Sequence, residues 1–295
     1  AIMGARNIEN WKERLITILV TPFTTCSARL PVYAIIISLI IPEEKVLGFL
    51  SLQGLALMLL YLIGFFMAIF SSWLLDKFLK LSCKTYFVVE MPSYKIPMMK
   101  NVGINVLEKT KAFVFGAGKI ILALSVILWF LGSHGPTKDF NNGTKMNPAL
   151  IENQTNTYKL EHSYIGIIGR TIEPAIKPLG YDWKIGIALV SSFAAREVFV
   201  GTLATIYSVG GNDDDMEKTI KNRMQAEINP VTGEKIFNFA TGISLLLFYA
   251  FAMQCISTLA IVKKETNSWK WPLAQLVFMS GFAYIVSLIA YQLLK

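Results

Sequence analysis

Long apolar runs separated by short polar stretches dominate the chain. Six of these runs reach about 20 residues, the length that an α-helix needs to cross the hydrocarbon core of a bilayer. A transmembrane β-barrel would instead show short segments of alternating polarity. The pattern therefore predicts an all-α polytopic membrane protein with about six transmembrane helices, at residues 15–41, 46–75, 111–131, 183–209, 238–262 and 271–294.

Two prolines, Pro22 and Pro31, interrupt the first apolar run. Each lacks a backbone N–H group and disfavours helix in the residue before it. Non-helical backbone at membrane depth is tolerated only where it is buried in protein or lines a cavity. We therefore predict an unwound stretch over 21–31, with free carbonyl groups and the ends of two half-helices.

Two arginines, Arg29 and Arg196, lie inside apolar runs, where a charge is costly and by default marks a functional site. Their surroundings are similar, because 24–29 ends in Ser-Ala-Arg and 191–196 ends in Ala-Ala-Arg. This similarity predicts two broken repeats, which are inverted if the first span runs outward and the fourth inward. The arginines are expected to hold free carbonyls or to pair with Glu197, and not to bind a metal cation.

The distribution of lysine and arginine predicts the orientation. Segment 76–119 holds eight lysines, so it is predicted to be cytoplasmic. Alternation of six spans then gives sixteen cations on the cytoplasmic side and nine outside. Both termini of the chain are therefore predicted to be cytoplasmic, with 210–237 as an inner loop and 263–270 as an outer segment.

The composition and the distribution of charge favour a lipid partner over nucleic acid. Hydrophobic residues make up 54% of the chain and the net charge is +8, but the cations cluster beside apolar runs. This arrangement indicates contact with lipid headgroups, not nucleic acid. The segment 116–119 resembles a phosphate-binding loop, but Phe113 stands where the first glycine is required and Ile120 replaces Ser or Thr. No nucleotide site and no enzyme activity are predicted for this chain.

Sulfur and oxygen groups within the predicted spans form a candidate metal site. Two thiols at membrane depth suit a borderline-soft divalent metal such as Fe(II) better than Na⁺ or Mg²⁺. A buried Cys or Met also packs as an ordinary apolar side chain, and Glu197 has pairing with Arg29 as its alternative. The candidate ligands are Cys26, Cys255, Glu197, Ser27 and Met253.

Several segments resemble the FeoB family of bacterial ferrous iron transporters. Segment 21–33 is similar to the first Gate motif of that family. Segment 192–199, preceded by 173–180, is similar to the second motif, and 89–97 resembles the cytoplasmic core segment between them. Segment 254–259 also matches, so the resemblance covers nearly the whole chain.

The resemblance implies Fe(II) uptake across the bacterial inner membrane. Family members carry an N-terminal GTP-binding domain, a helical spacer and usually eight spans, so this chain would lack the GTPase, the spacer and two spans. Carried over by residue, Cys26 is the leading metal contact, with Cys255 and Glu197 behind it. Structural or gating roles are expected for Arg29, Arg196, Pro22, Pro31 and Glu173.

The resemblance also implies partners and a division of the chain. The expected partners are the lipid bilayer, the missing GTPase domain and a small cytoplasmic accessory protein, and a homo-oligomer is left open. A nucleoside-type or other divalent-metal permease and a non-transporting receptor remain the alternatives. The expected parts are a first Gate region at 1–75, a cytoplasmic segment at 76–110, a helix at 111–131, an outer loop at 132–162, a second Gate region at 163–262 and a last helix at 263–295.

Overall fold

The computed structural model describes a helical bundle and confirms the all-α polytopic fold. Its described residues are 2–42, 44–46, 50–78, 98–135, 163–193, 196, 198–208, 224, 235–253 and 255–295. The helices are α1 (Trp11–Val20), α2 (Leu30–Ile40), α3 (Leu52–Phe78), α4 (Met99–Ser133), α5 (Tyr164–Ile176), α6 (Trp183–Ser192), α7 (Val198–Ser208), α8 (Phe239–Phe251), α9 (Ile256–Thr266) and α10 (Lys270–Leu294). A two-residue antiparallel pair, β1 (Lys45–Val46) and β2 (Leu50–Ser51), connects α2 to α3, with Lys45 opposite Ser51.

Four segments of the described residues are long and apolar enough to cross a membrane: Trp11–Ile40, Leu52–Phe78, Phe239–Thr266 and Lys270–Leu294. The first and third each consist of two helices with a break between them. Helix α4 contains the predicted third span, and its 35 residues correspond to about 52 Å, more than a bilayer core.

The break between α1 and α2 lies where the two prolines predict it. Helix α1 ends at Val20, and two short 3₁₀ turns at Thr21–Phe23 and Ser27–Arg29 lead into α2. Pro22 has no N–H group to offer the carbonyl of Ile18 one turn earlier. The side chain of Gln275 on α10 supplies donors there, with Nε2 at 2.8 Å from the Leu19 carbonyl oxygen and 3.5 Å from that of Ile18.

The predicted fourth span, 183–209, is wrong, because this run folds into a helical hairpin. Helix α6 ends at Ser192, and α7 packs back against it, so that the hydroxyls of Ser191 and Thr202 lie 2.8 Å apart. Two residues 11 positions apart in one continuous helix would be about 16 Å apart. The hairpin therefore enters and leaves the bundle at the same end.

Serine hydroxyls explain where α6 stops. The Oγ of Ser191 donates to the Ala188 carbonyl and that of Ser192 donates to the Leu189 carbonyl, at 2.8 and 2.6 Å. Such side-chain bonds compete with the backbone ladder and weaken the continuation of a helix. An apolar run of this length therefore contains a turn that hydropathy alone does not reveal.

Ion pairs show which segments share an end of the bundle. Glu265, in the last turn of α9, binds Arg6 at 2.6 Å and Arg14 at 2.9 Å, while Lys12 binds Asp76 at 2.6 Å. The segment 263–270 and the end of α3 therefore lie at the N-terminal end of the bundle, defined by residues 2–14. The prediction that 263–270 faces the opposite side from the N-terminal segment is wrong.

The opposite end of the bundle holds the end of α10. There Tyr291 packs on Gly180, and Ile40 of α2 packs on Gly242 of α8. Because the hairpin does not cross, every later segment is reversed relative to the six-span prediction. The two ends of the chain thus lie at opposite ends of the bundle, which corrects the prediction that both are cytoplasmic.

Replacing Glu265 with glutamine should destabilise the N-terminal end of the bundle. The Glu265 carboxylate is only 2% exposed and forms ion pairs with both Arg6 and Arg14. The hydrogen bond from Arg6 to this carboxylate raises the pKa of Arg6 above its ordinary value. Loss of a charged hydrogen-bonding partner costs about 1–3 kcal/mol. The measurement is the midpoint of thermal unfolding in detergent.

Asp76→Asn is the matched control for Glu265→Gln. Asp76 is 66% exposed and pairs with Lys12 alone, so its loss should cost less than about 1 kcal/mol. An equal decrease of the unfolding midpoint in the two variants would contradict a special role of Glu265.

Candidate central junction

Three interruptions of helix meet in the middle of the bundle. The guanidinium of Arg196, at the tip of the hairpin, lies 3.7 Å from the Cys26 sulfur through Nη1 and donates through Nη2 to the Ala252 carbonyl at 3.3 Å. The tip also accepts a backbone hydrogen bond, from Ile256 N to Phe193 O at 3.1 Å. Arg196 therefore contacts both broken spans, and we call these described residues, with 21–29 and Cys255, the central junction.

Arg29 holds its own segment together. Its side chain is fully buried, and its guanidinium donates to the Pro22 carbonyl at 2.9 Å and to the Phe23 carbonyl at 3.4 Å. These carbonyls belong to the 3₁₀ turn Thr21–Phe23 that follows α1. The guanidinium thus closes a loop over 22–29 and fixes the shape of the break.

The two arginines also place their charge where the backbone is negative. The carbonyl ends of α1 and α8 carry partial negative charge, and Arg29 and Arg196 each bind a carbonyl just beyond one of these ends. Neither guanidinium forms an ion pair with another described residue, and the Nε atom of each is buried without a partner in the described part of the chain. The junction therefore holds two cations and additional donor capacity.

Both candidate cysteines precede the N-terminal end of a helical segment. Cys26 is the N-cap of the turn that leads into α2, and Cys255 is the N-cap of α9. The Cys255 sulfur also lies 2.8 Å from the Ser257 hydroxyl.

Solvent exposure distinguishes the two candidate cysteines from Met253. Cys26 is exposed and Cys255 is half-buried, so neither is an ordinary core side chain. Met253 is fully buried in an apolar cluster that includes Phe23, Phe251 and Met279, an environment that supports the packing alternative for this residue. Its role as a ligand stays a prediction without a contact to support it.

The remaining predicted residues are dispersed. Ser27 is exposed beside Cys26, and Pro31 is exposed in the first turn of α2. Glu173 lies on the amphipathic helix α5, which packs mainly on α6. Glu197 lies outside the described residues, so its predicted metal contact and its predicted pairing with Arg29 remain predictions.

Metal-binding side chains do not form a complete cluster in the described part of the chain. No three His, Cys, Asp or Glu side chains come together there as they would in a preformed metal centre. Cys26 and Cys255 would therefore need carbonyl oxygens, water or a residue outside the described ranges to complete a coordination shell. Sequence reasoning missed the carbonyl of Ala252 and the amide of Gln275, since neither has a local signal.

Comparisons with known proteins relate this geometry to a family. The Gate family, described as nucleoside recognition, matches residues 114–269. The family described as the ferrous iron transport protein B C terminus matches residues 57–109. No solved structure matches the chain.

Curated relatives match along nearly the whole chain. A protein named Fe(2+) transporter FeoB from Leptospira interrogans (serovar Lai) is 42% identical over 294 residues, which are 99% of this chain and 40% of that protein. The protein of the same name from Leptospira biflexa is 41% identical over 297 residues, 100% of this chain and 41% of the relative. The protein of that name from Staphylococcus aureus (strain MSSA476) is 35% identical over 294 residues, which are 99% of this chain and 38% of the relative. The chain thus spans about two fifths of the length of these relatives.

Proposed function

Because the chain belongs to the FeoB family, we propose that it forms the permease part of a transporter that moves Fe(II) across the bacterial inner membrane into the cytoplasm. The observation that carries this proposal is the contact of Arg196 with both broken spans, beside Cys26. Broken helices that meet within a bundle are the usual setting for the ion site of a secondary transporter.

Fe(II) is proposed to bind at the central junction as the transported substrate. Cys26 is the first ligand, with Cys255 and backbone carbonyls of the breaks as the other donors, and Glu197 as a further candidate. Thiolates suit a borderline-soft divalent ion. They would also offset the repulsion between Fe(II) and the two guanidinium groups, which falls off with distance and with screening.

The hairpin offers a way to open the junction to one face at a time. It enters from the end of the bundle opposite residues 2–14 and touches the two broken spans with its tip. Movement of the hairpin away from the breaks would uncover the junction toward that end. We propose that this motion alternates with opening toward the other end, as in transporters that gate around a fixed site.

In the whole protein, a GTP-binding domain is proposed to control this equilibrium through different contacts with the two states. That domain would attach at the N-terminal end of the bundle, which we propose to be cytoplasmic. The end of α10 would then face the outer side. A small cytoplasmic accessory protein would also act at the N-terminal end.

The test is anaerobic Fe(II) binding and uptake by the intact protein reconstituted in proteoliposomes. Cys26→Ser should weaken Fe(II) binding by at least about tenfold, equivalent to about 1.4 kcal/mol, and should reduce uptake in parallel. Cys255→Ser should have a smaller effect in the same direction. Zn(II) and Mn(II) as competitors measure selectivity.

Cys83→Ser is the thiol control, because it removes the third cysteine of the sequence, which lies outside the described residues. Fe(II) binding by the Cys26→Ser protein at the wild-type level would exclude the ligand assignment. Equal losses in the Cys26 and Cys83 variants would indicate a general thiol effect and would also exclude it.

A nucleoside substrate is the second candidate, on the basis of the description of the matched Gate family. It predicts saturable uptake of a radiolabelled nucleoside that does not depend on Cys26. Competition between a nucleoside and Fe(II) in the same proteoliposomes distinguishes the two candidates.

A further inference from the structure

A small pocket lies at the end of the bundle opposite residues 2–14, separate from the central junction. Its volume is about 180 Å³. It is formed where the turn after α5 meets the beginning of α8 and the end of α10. The residues that matter here are Lys177, Tyr181, Lys235, Asn238, Tyr291 and Lys295.

The pocket is strongly positive. Three lysines line it, and no Asp or Glu is among the described residues that line it. The side chains of Lys177, Lys235 and Lys295 form no ion pair with any described residue. A bound anion would be attracted by the positive charge of all three lysines.

Helix α8 adds to the positive potential. The helix begins at the pocket, with Asn238 as its N-cap, and the cap side chain accepts from the Thr241 backbone N–H. The N-terminal end of a 13-residue helix carries partial positive charge and attracts phosphate and carboxylate groups. The lysines and the helix end therefore act in the same direction.

The walls of the pocket are held in place. Gly180 has a positive φ of 81°, and the Tyr291 ring lies where a β-carbon would be, so the turn and α10 are in close contact. Behind them, the Tyr181 hydroxyl lies 3.0 Å from that of Ser244, which donates to the Ser287 carbonyl at 3.1 Å. This buried hydroxyl network fixes the floor of the pocket.

The location of the pocket indicates where an anion would come from. It lies at the ends of two candidate membrane spans, Phe239–Thr266 and Lys270–Leu294, and therefore near the depth of the lipid headgroups. Tyr291 at its rim is the kind of residue that is enriched at that depth. Clusters of basic side chains near this depth attract acidic lipid headgroups.

We propose that this pocket binds the phosphate-bearing headgroup of an anionic membrane lipid. The phosphodiester lies among Lys177, Lys235 and Lys295 and receives the N-terminal end of α8, while the acyl chains lie along α10. The site ties the turn after α5, α8 and α10 together at this surface. It is independent of the proposed transport of Fe(II).

The test compares lipid binding by the intact protein and by a double variant, Lys177→Gln with Lys235→Gln. The probe is phosphatidylglycerol in nanodiscs or vesicles, with phosphatidylcholine as the neutral reference, and bound lipid is counted by native mass spectrometry. The parent should prefer phosphatidylglycerol at least about tenfold, and the double variant should lose most of this preference.

A matched control carries the same charge change at the other end of the bundle, Lys263→Gln with Lys264→Gln, where Lys263 lies over the Trp269 ring. It should retain the preference, and Lys177→Arg with Lys235→Arg should retain it as well. The midpoint of thermal unfolding of each variant in detergent shows that it is folded.

Two outcomes would overturn the proposal. One is a double variant that binds phosphatidylglycerol as the parent does, or a control pair that loses the lipid equally. The other is binding of inorganic phosphate by the parent but not by the double variant, without any preference for phosphatidylglycerol, which would identify a free anion as the ligand.

Discussion

Replacing Arg196 by glutamine is expected to reduce Fe(II) uptake to near background, by about 100-fold or more. The guanidinium links the hairpin tip to Cys26 and to the Ala252 carbonyl, and a neutral, shorter side chain cannot span both. Since Arg196 is only 6% exposed, leaving its buried partners without a donor should also cost about 1–3 kcal/mol. The measurements are uptake in proteoliposomes and the thermal unfolding midpoint.

Two further variants show whether the geometry of the arginine is responsible. Arg196→Lys keeps the charge but loses the planar fork that reaches two partners at once, so it should restore stability in part and uptake very little. Arg6→Gln removes a half-exposed arginine at the N-terminal end and should leave uptake nearly unchanged. Full uptake by the glutamine variant of Arg196 would refute the central role of this contact.

Replacing Gly242 by valine is expected to destabilise the bundle by about 1–3 kcal/mol or more, the usual cost of overfilling a packed core. A β-carbon at this position would collide with the side chain of Ile40, so α2 and α8 would have to separate. Because α2 is the second half of the first broken span, its displacement should also impair uptake. The measurement is the unfolding midpoint of the variant in detergent.

Gly281→Ala is the control for Gly242→Val. A β-carbon at Gly281 meets nothing within 4 Å, and alanine favours helix over glycine by about 1 kcal/mol. This change should therefore be neutral or mildly stabilising. If both glycine variants lower the unfolding midpoint equally, the close contact between Gly242 and Ile40 is not the cause.

The break at 21–31 is predictable from the sequence because its causes are local. Pro22 removes a hydrogen bond from its own helix, and Arg29 reaches carbonyls only six and seven residues away. The metal-binding role of Cys26 and Cys255 stays a prediction, although both precede helix N-termini.

The hairpin at 183–209 could not be predicted in the same way. Hydropathy records that a segment is apolar and not whether it crosses or returns, and Ser191 and Ser192 are weak signals of a turn. One missed reversal inverts every later segment, which is why the prediction places 263–270 and the end of α10 at the wrong ends of the bundle relative to residues 2–14. The contact of Arg196 with Ala252 joins residues 56 positions apart, which no local pattern records.

Helix α10 connects the two ends of the bundle. Gln275 binds the end of α1, and Glu265, just before α10, binds Arg6 and Arg14. Gln275 therefore joins α10 directly to the end of α1, while Glu265 joins the last turn of α9, which leads into α10, to Arg14 of α1. A load applied to residues 2–14 would be transmitted along the 25 residues of α10, a length of about 37 Å. It would reach Tyr291 and the lysine pocket, so that a load at one end of the bundle would act on the proposed lipid site at the other end.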